Sequence, residues 1–248
     1  MRPAALSFPP NPDYGRGACR RTIRLVAGEG LVEGHLSDDF HEMRCRVRHD
    51  GRRVLAVEAE TVRVPTTACP AAVDVLEELV GRPLAVPTRD FYRGGRARHH
   101  CTHLLDLAVL AVRHGAAAPH TTRYDAVVPD ETDAPVTISV ARDGSVVHRW
   151  LIRDGIVLDP EPLRGNTLDT GFAAWAAGVF DDEALEAATV LARTWLIAIG
   201  RRFLPELAAG RTIAGNREML GRCFAYAPER AAVAIFTGTN AVSPPDRR

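Results

Sequence analysis

The segment "VTISVARDGSVVHRWLIRDGIVLDP", from Val136 to Pro160, alternates apolar and polar residues around two Asp-Gly pairs, at 143–144 and 154–155. Alternation with a period of two is typical of strands that bury one face, and Asp-Gly is typical of the tight turn of a hairpin. The segment therefore predicts a β-meander.

Residues 22–64 repeat this pattern in four shorter stretches, "TIRLVA", "LVEGHL", "EMRCRVRH" and "RVLAVEAETVRV". Turn residues separate them at 28–30 and 50–51, so the basic run around the second turn is expected to be a solvated hairpin tip. In "EMRCRVRH" the arginines alternate with apolar residues. This predicts a one-sided antiparallel strand with Cys45 in the core.

A first helix is predicted in "CPAAVDVLEELVGRP", residues 69–83. Proline suits the first helical position, and the glycine and proline at the other end stop a helix. This interpretation places Cys69 at the N-cap. The spacing of Val73, Leu76 and Val80 gives the helix its expected buried face.

A second helix is predicted to begin at His99 or His100 and to end at Gly115. From residue 104 to residue 112 it is apolar on every side except at Asp106. A helix that is apolar all round is expected to be central and buried.

A third, long helix is predicted in "DDEALEAATVLARTWLIAIGRRF", residues 181–203, with its acidic residues at the start, where the helix dipole favours them. Its apolar residues, including Trp195 and Phe203, lie on more than one face. We therefore expect this helix either in the core or at a homodimer contact. The predicted fold class is α+β, with antiparallel β-meanders packed against the buried central helix and the long C-terminal helix.

The same patterns suggest boundaries along the chain. Two β-then-helix halves are expected to pack together as one domain, with polar or proline-rich segments before, between and after them. These segments are a disordered arm over 1–18, a first half over 19–115, a linker or crossing loop over 116–135, a second half over 136–240 and a tail over 241–248.

Composition narrows the class of partner. Lysine plus arginine balances aspartate plus glutamate at 31 each, so no global field favours nucleic acid or a membrane surface, and a small molecule is the expected partner. Five cysteines with irregular spacing and no recognisable signal peptide favour a reducing cytoplasm. Phosphate-loop, dinucleotide-binding and serine-hydrolase motifs are missing from the sequence.

Candidate chemistry is concentrated in "RHHCTHLLDL", residues 98–107. Cys69 at one predicted helix start, and Cys101 with His103 at the next, would lie near unpaired N–H groups that favour anions. Such an environment is expected to lower the pKa of the thiols and to make them reactive. The alternative for each cysteine is a small apolar residue in the core.

His103 and Asp106 are one helical turn apart and can share a face. A buried carboxylate must be paired or protonated, and a pair with His103 would also orient the imidazole as a general base. The alternative is that Asp106 caps another loop and His103 is a satisfied core residue.

His41 follows two carboxylates in "SDDFHEM", at the junction of two predicted strands. Functional residues are common at such junctions. We therefore expect His41, with Asp38 or Asp39, to carry out the proton transfer opposite to that of His103. A solvated turn would also explain the two carboxylates. The remaining histidines are expected at the surface or its boundary: His35, His49, His114, His120 and His148.

No metal or other cofactor is expected, although zinc or iron is a possible alternative. His99 and His103 have the i, i+4 spacing of two imidazoles on one helical face, and Cys69 and Cys101 could complete such a site, as could His41. The glutamate that zinc peptidases place between the two histidines is missing, and Cys-x-His is tighter than the usual spacing of structural zinc ligands.

Several short pieces in order resemble the bacterial domain-of-unknown-function family 2889 over about residues 20–115. They are Gly34-x-Leu36-x-Asp38, His41-x-Met43, Pro65-x-x-x-Cys69, Leu79-Val80-Gly81 and Cys101-Thr102-His103-Leu104-x-Asp106-Leu107.

The resemblance implies a site that contains His41, Cys69, Cys101 and His103, and it supplies no reaction. The chain departs from the family pattern at His100, where glycine is usual, at Asp106, where glutamate is usual, and at Glu42, where aspartate is usual. The resemblance also suggests a link to bacterial degradation of aromatic or acyl compounds.

These observations predict a cytoplasmic catabolic enzyme that uses histidine and aspartate as general acid and base. Proton abstraction next to a carbonyl, or a lyase reaction of retro-aldol type, needs such groups and no redox cofactor. The candidate catalytic residues are His103, His41, Asp106, Cys69, Cys101 and Asp38. The alternative is a non-catalytic binding module with a structural Cys/His cluster.

Overall fold

The computed structural model of the chain describes residues 8–92, 96 and 98–238. Within them, the strands form an antiparallel sheet in the order β4-β3-β2-β1-β5-β6-β7-β8 with helices packed on it, which confirms the α+β class. The strands are β1 (Ala18–Gly28), β2 (Leu31–Ser37), β3 (Glu42–His49), β4 (Val54–Arg63), β5 (His120–Pro129), β6 (Val136–Arg142), β7 (Ser145–Arg153) and β8 (Ile156–Asp159). The α-helices are α1 (Thr102–His114), α2 (Phe172–Val179), α3 (Asp182–Ala198) and α4 (Pro228–Ala231).

The chain forms two compact units, and β1 contributes to both. The first unit contains Arg24–Thr121 and residues 205–238, and the second contains Pro10–Ile23 and Thr122–Leu204. Residues 205–238 therefore group with the first unit, whereas the sequence boundaries placed them with residues 136–204. No helix in the described part of the chain is both long and apolar enough to span a bilayer.

The strands of the first unit follow the alternation of the sequence. In β3, Met43, Cys45 and Val47 are buried, while the arginines between them are exposed. The turn after β3 is a hairpin in which the Asp50 carboxylate accepts hydrogen bonds from the backbone N–H groups of Arg52 and Arg53, at 2.8 and 2.7 Å. The predicted hairpin tip is confirmed.

The first predicted helix is a 3-10 helix, Cys69–Leu79, and its N-cap is Ala68, so the assignment of Cys69 as the N-cap was wrong by one residue. Of the expected buried face, Leu76 is buried and Val73 is half-buried. Val80 is the C-cap residue, outside the helix, and it is exposed. The buried positions are Cys69, Ala72, Leu76 and Leu79.

Helix α1 is the buried central helix that the sequence predicts, and residues 104–112 are all buried. It begins later than expected, since Cys101 is its N-cap. A Cβ atom on Gly34 of β2 would lie 2.9 Å from the Cys45 sulfur and 3.0 Å from Leu107 Cδ1. Glycine at this position therefore lets α1 approach the sheet closely.

The second unit contains the predicted meander, now seen as β6, β7 and β8. The predicted linker over 116–135 was wrong, because it contains β5. The buried positions of β5 alternate but include Thr122 and Tyr124, and most of the outward positions are polar, so the composition of the segment resembles that of a loop. The sequence interpretation also missed α2, whereas the long helix is confirmed as α3.

The predicted disordered arm was wrong for the residues of it that the structure describes, 8–18. The Asn11 N–H donates to the carbonyl of Arg202 at 2.9 Å, and the Asp130 carboxylate accepts from the N–H groups of Gly15 and Gly17 at 3.2 and 3.0 Å. Hydrogen bonds therefore hold residues 11–17 against other parts of the second unit. Residues 1–7, the predicted loop at 94–95 and the predicted tail over 241–248 lie outside the described residues.

Trp195, which suggested either a core helix or a dimer contact, is buried inside the second unit. Its indole N–H donates to Glu131 Oε1 at 2.8 Å, and its ring lies against Gly155. Packing within the unit therefore accounts for this face of α3. Phe203 follows the helix and is 40% exposed.

Candidate functional site

Asp38 organises the turn between β2 and β3. Its Oδ1 accepts hydrogen bonds from the backbone N–H groups of Phe40 and His41, each at 2.9 Å, and lies 3.0 Å from Nδ1 of the His41 ring. The Asp38 side chain is fully buried and that of His41 is 8% exposed. Because a carboxylate only accepts, His41 Nδ1 carries the shared proton, and Nε2 of the neutral ring carries the lone pair.

The side chain of Arg63, the last residue of β4, binds the main chain of the same turn. Its guanidinium donates to the carbonyl of Asp38 at 2.5 Å, to that of Asp39 at 2.7 Å and to that of His41 at 3.1 Å. A residue from a neighbouring strand thus holds the backbone around the Asp38–His41 pair.

His103, in the first turn of α1, completes this group. Its ring stacks on that of His41 with 4.1 Å between centroids and 27° between planes. His103 is half-buried. The structure therefore joins three of the candidate catalytic residues, Asp38, His41 and His103.

Cys101 adjoins His103, with 4.0 Å between its sulfur and His103 Nδ1. Burial raises the pKa of the Cys101 thiol well above its ordinary range. Cys69 lies 3.1 Å from the hydroxyl of Thr66, and burial also raises the pKa of its thiol. The expectation of reactive thiolates was therefore wrong, because the loss of solvation outweighs any effect of a nearby helix start.

One comparison with known proteins covers this site. Residues 29–118 match the family model of Protein of unknown function (DUF2889). The match confirms the resemblance seen in the sequence. No curated protein matches the chain. Residues 29–118, here called the DUF2889 segment, contain Asp38, His41 and His103, together with Arg63 and Cys101.

Asp106 lies in the DUF2889 segment on the same helix as His103. Its Oδ1 accepts a hydrogen bond from the hydroxyl of Tyr92 at 2.6 Å, and Asp106 is buried. The sequence predicted either His103 or an unspecified loop as the partner of Asp106. Tyr92 was missed because its hydroxyl comes from a separate short segment that no spacing connects to α1.

No three histidine, cysteine, aspartate or glutamate side chains among the described residues come together in a way that could hold a metal ion. His99 is exposed and lies before α1, so it does not share a helical face with His103 as the metal alternative required. The set of His99, Cys101, His103 and Cys69 is thus not assembled as a site in the DUF2889 segment.

His100, which departs from the family pattern, is fully buried, and its Nε2 lies 2.8 Å from Glu78 Oε1. Three of the histidines that were expected at the surface or its boundary are also buried. His49, His114 and His148 are each less than a tenth exposed. Their burial was missed because a single histidine gives no periodic signal.

Proposed function

We propose that the protein is a catabolic enzyme that transfers protons with His41 and His103, oriented by Asp38. The observation that carries the proposal is the 3.0 Å contact between the buried Asp38 carboxylate and His41 Nδ1, next to the stacked ring of His103. A carboxylate on one imidazole nitrogen prepares the other nitrogen to take a proton.

Two imidazoles in contact suit a reaction with two proton transfers. One imidazole can act as the base while its neighbour acts as the acid. His41 Nε2 would remove a proton from the carbon next to a carbonyl, and His103 would donate a proton to the developing enolate oxygen. In a lyase reaction of retro-aldol type, His41 would take the proton of a hydroxyl group instead.

The cysteines support this scheme as neutral groups. Because burial raises the pKa of Cys101 and Cys69, their S–H groups remain protonated at neutral pH and can stabilise charge by donating weak hydrogen bonds. In this scheme neither Cys101 nor Cys69 acts as a nucleophile. We further propose an aromatic or acyl substrate, a cytoplasmic location, which the free cysteines favour, and a homodimer.

The direct test is deuterium exchange. The protein is incubated in D₂O with a panel of aromatic ketones and acyl thioesters, and deuterium at the α-carbon is measured by NMR. We expect exchange above the buffer rate for at least one compound and a loss of about 100-fold or more in His41→Asn.

His35→Asn is a matched control for this experiment. His35 lies on β2, and its ring also meets a carboxylate, Glu42, at 3.3 Å, but its side chain is 42% exposed. We expect this variant to keep full exchange activity. Full activity in a folded His41→Asn variant, or no exchange by the parent with any compound, would overturn the proposal.

One observation favours the alternative of a binding module. A groove of about 450 Å³ lies on the sheet of the first unit, within the size range of small-molecule sites. Its charged lining residues are of both signs: Arg24, Glu33, Arg44, Arg46, Glu58 and Glu60. If this groove is the functional site, compounds that raise the melting temperature should do so equally in the parent and in His41→Asn, and less in Arg24→Gln.

A further inference from the structure

Arg63 is the side chain that fixes the main chain of the turn from Asp38 to His41. β4 ends at Arg63, which pairs with Glu42 at the start of β3 across a register shift between Glu42 and Met43, so its side chain starts directly beside the turn. Its Nη1 donates to one carbonyl of the turn, and its Nη2 donates to two, at distances of 2.5 to 3.1 Å.

This arrangement solves a problem of the turn itself. The carbonyls of Asp38, Asp39 and His41 converge on one point, where their partial negative charges would repel each other without a donor. A planar guanidinium has several N–H groups in a fixed fork and serves all three carbonyls at once. A lysine ammonium has a different geometry and a stronger hydration shell, so it is a poorer substitute.

The same turn sets the geometry of the candidate site. Asp38 Oδ1 bonds to the N–H groups of the turn and to the ring of His41, so its position depends on the backbone that Arg63 holds. The His41 carbonyl also accepts from the Asp38 N–H at 2.9 Å, which closes the turn. A movement of this backbone would move the carboxylate relative to Nδ1.

We propose that Arg63 is a positioning residue of the acid/base site. It holds the turn so that Asp38 keeps the proton on His41 Nδ1 and the His41 ring stays stacked on His103. The inference rests on the proposed function for its catalytic consequence, while its structural consequence, the tautomer of His41, can be measured without any substrate.

The test uses ¹⁵N NMR of histidine-labelled protein, in which ring nitrogen shifts distinguish an imidazole protonated on Nδ1 from one protonated on Nε2. We expect His41 of the parent to be the Nδ1–H tautomer and His41 of Arg63→Gln to be a mixture of both. In the deuterium exchange assay, kcat of Arg63→Gln should fall by roughly 100-fold with KM little changed, because misplacement of a reacting group costs about that much.

Two further variants sharpen the interpretation. Arg48→Gln is the matched control, since Arg48 is an exposed arginine on β3 that pairs with Glu58 at 3.8 Å. It should leave both the tautomer and kcat unchanged. Arg63→Lys keeps the charge and should recover only part of kcat, with an intermediate tautomer population.

The possible outcomes separate the two proposals. A folded Arg63→Gln variant with the tautomer and kcat of the parent would overturn the role of Arg63. A parent without exchange activity would overturn the proposed function alone, and a tautomer change in Arg63→Gln would still support positioning. If Arg63→Gln does not fold, the tautomer of Arg63→Lys decides: a shift supports the inference, and an unchanged ring overturns it.

Discussion

The ring of His41 lies against the ring of His103, with 4.1 Å between the two centroids. His41 belongs to the turn between β2 and β3, and His103 belongs to the first turn of α1. The contact therefore exists only when the helix is docked on the sheet, so the candidate site forms together with the core of the first unit.

Asp38→Asn, compared with Asp39→Asn, should show which of the two carboxylates orients His41. The amide keeps an oxygen for the backbone N–H groups of Phe40 and His41, but it no longer holds the His41 proton as a charged acceptor. We expect α-carbon exchange to fall by about 100-fold or more, measured as initial rates in D₂O. Asp39→Asn is the control and should retain nearly full activity; equal losses in both variants would contradict the assignment.

Gly34→Ala should destabilise the first unit by about 1–3 kcal/mol, because the new methyl group would overlap Cys45 and Leu107. Urea unfolding measures this cost. Gly178→Ala provides the control, since no heavy atom lies within 4 Å of its Cβ position and alanine favours the helix. An unchanged midpoint for Gly34→Ala would mean that α1 does not approach the sheet as described.

Tyr92→Phe should lower the free energy of unfolding by about 1–3 kcal/mol, because the buried Asp106 carboxylate loses a hydrogen bond of 2.6 Å. The decrease in the free energy of unfolding should be smaller when Tyr92→Phe is made in the Asp106→Asn variant, where the acceptor is uncharged. Equal costs in the two backgrounds, measured by urea unfolding, would show that the hydroxyl and the carboxylate are not coupled.

Native alkylation should reveal protonated thiols at the site. Burial raises the pKa of Cys69, Cys101 and Cys223, and of these three only Cys223 is partly exposed. We expect iodoacetamide at pH 8 to label Cys223 first and the other two only after addition of denaturant, as followed by peptide mass spectrometry. Rapid labelling of native Cys101 would restore the thiolate hypothesis.

His148 should contribute to loss of stability in acid. Burial lowers its pKa from the ordinary value of 6.5, and its Nε2 donates to the carbonyl of Ala184 at 2.7 Å. Below pH 6.5 the unfolded chain takes up a proton that the folded chain resists, so this contribution is full above that pH and declines as the pH falls. The free energy of unfolding should therefore fall less between pH 7.5 and pH 5 in His148→Gln than in the parent. An identical decline would exclude His148 as a source.

Strands with clear alternation could be predicted from the sequence, and so could the apolar helix α1. The elements that were not predicted correctly have physical reasons for it. β5 carries threonine at a buried position and polar residues outside, so its composition hid its period. The helix at Cys69–Leu79 ends one residue before Val80, which the expected buried face had included.

At the candidate site, Asp38, His41 and His103 could be predicted because polar residues stood out at a strand junction and at the start of an apolar helix. Their mutual contact could not, because it depends on how α1 docks. Arg63 was missed for a related reason: it binds main-chain carbonyls, and the register of β3 and β4 decides which residue faces the turn. The thiols were misjudged because their burial was not visible in the local sequence.

The number of residues between Gly34 and Asp38 limits how the sequence of this region can change in evolution. Gly34 meets the helix, Leu36 is buried two residues later, and Asp38 follows after two more. Because strand side chains alternate, inserting or deleting one residue in this interval would turn the helix-facing positions outward and displace the carboxylate. The intervening positions, His35 and Ser37, can accept many replacements, while the length of the interval cannot change by a single residue.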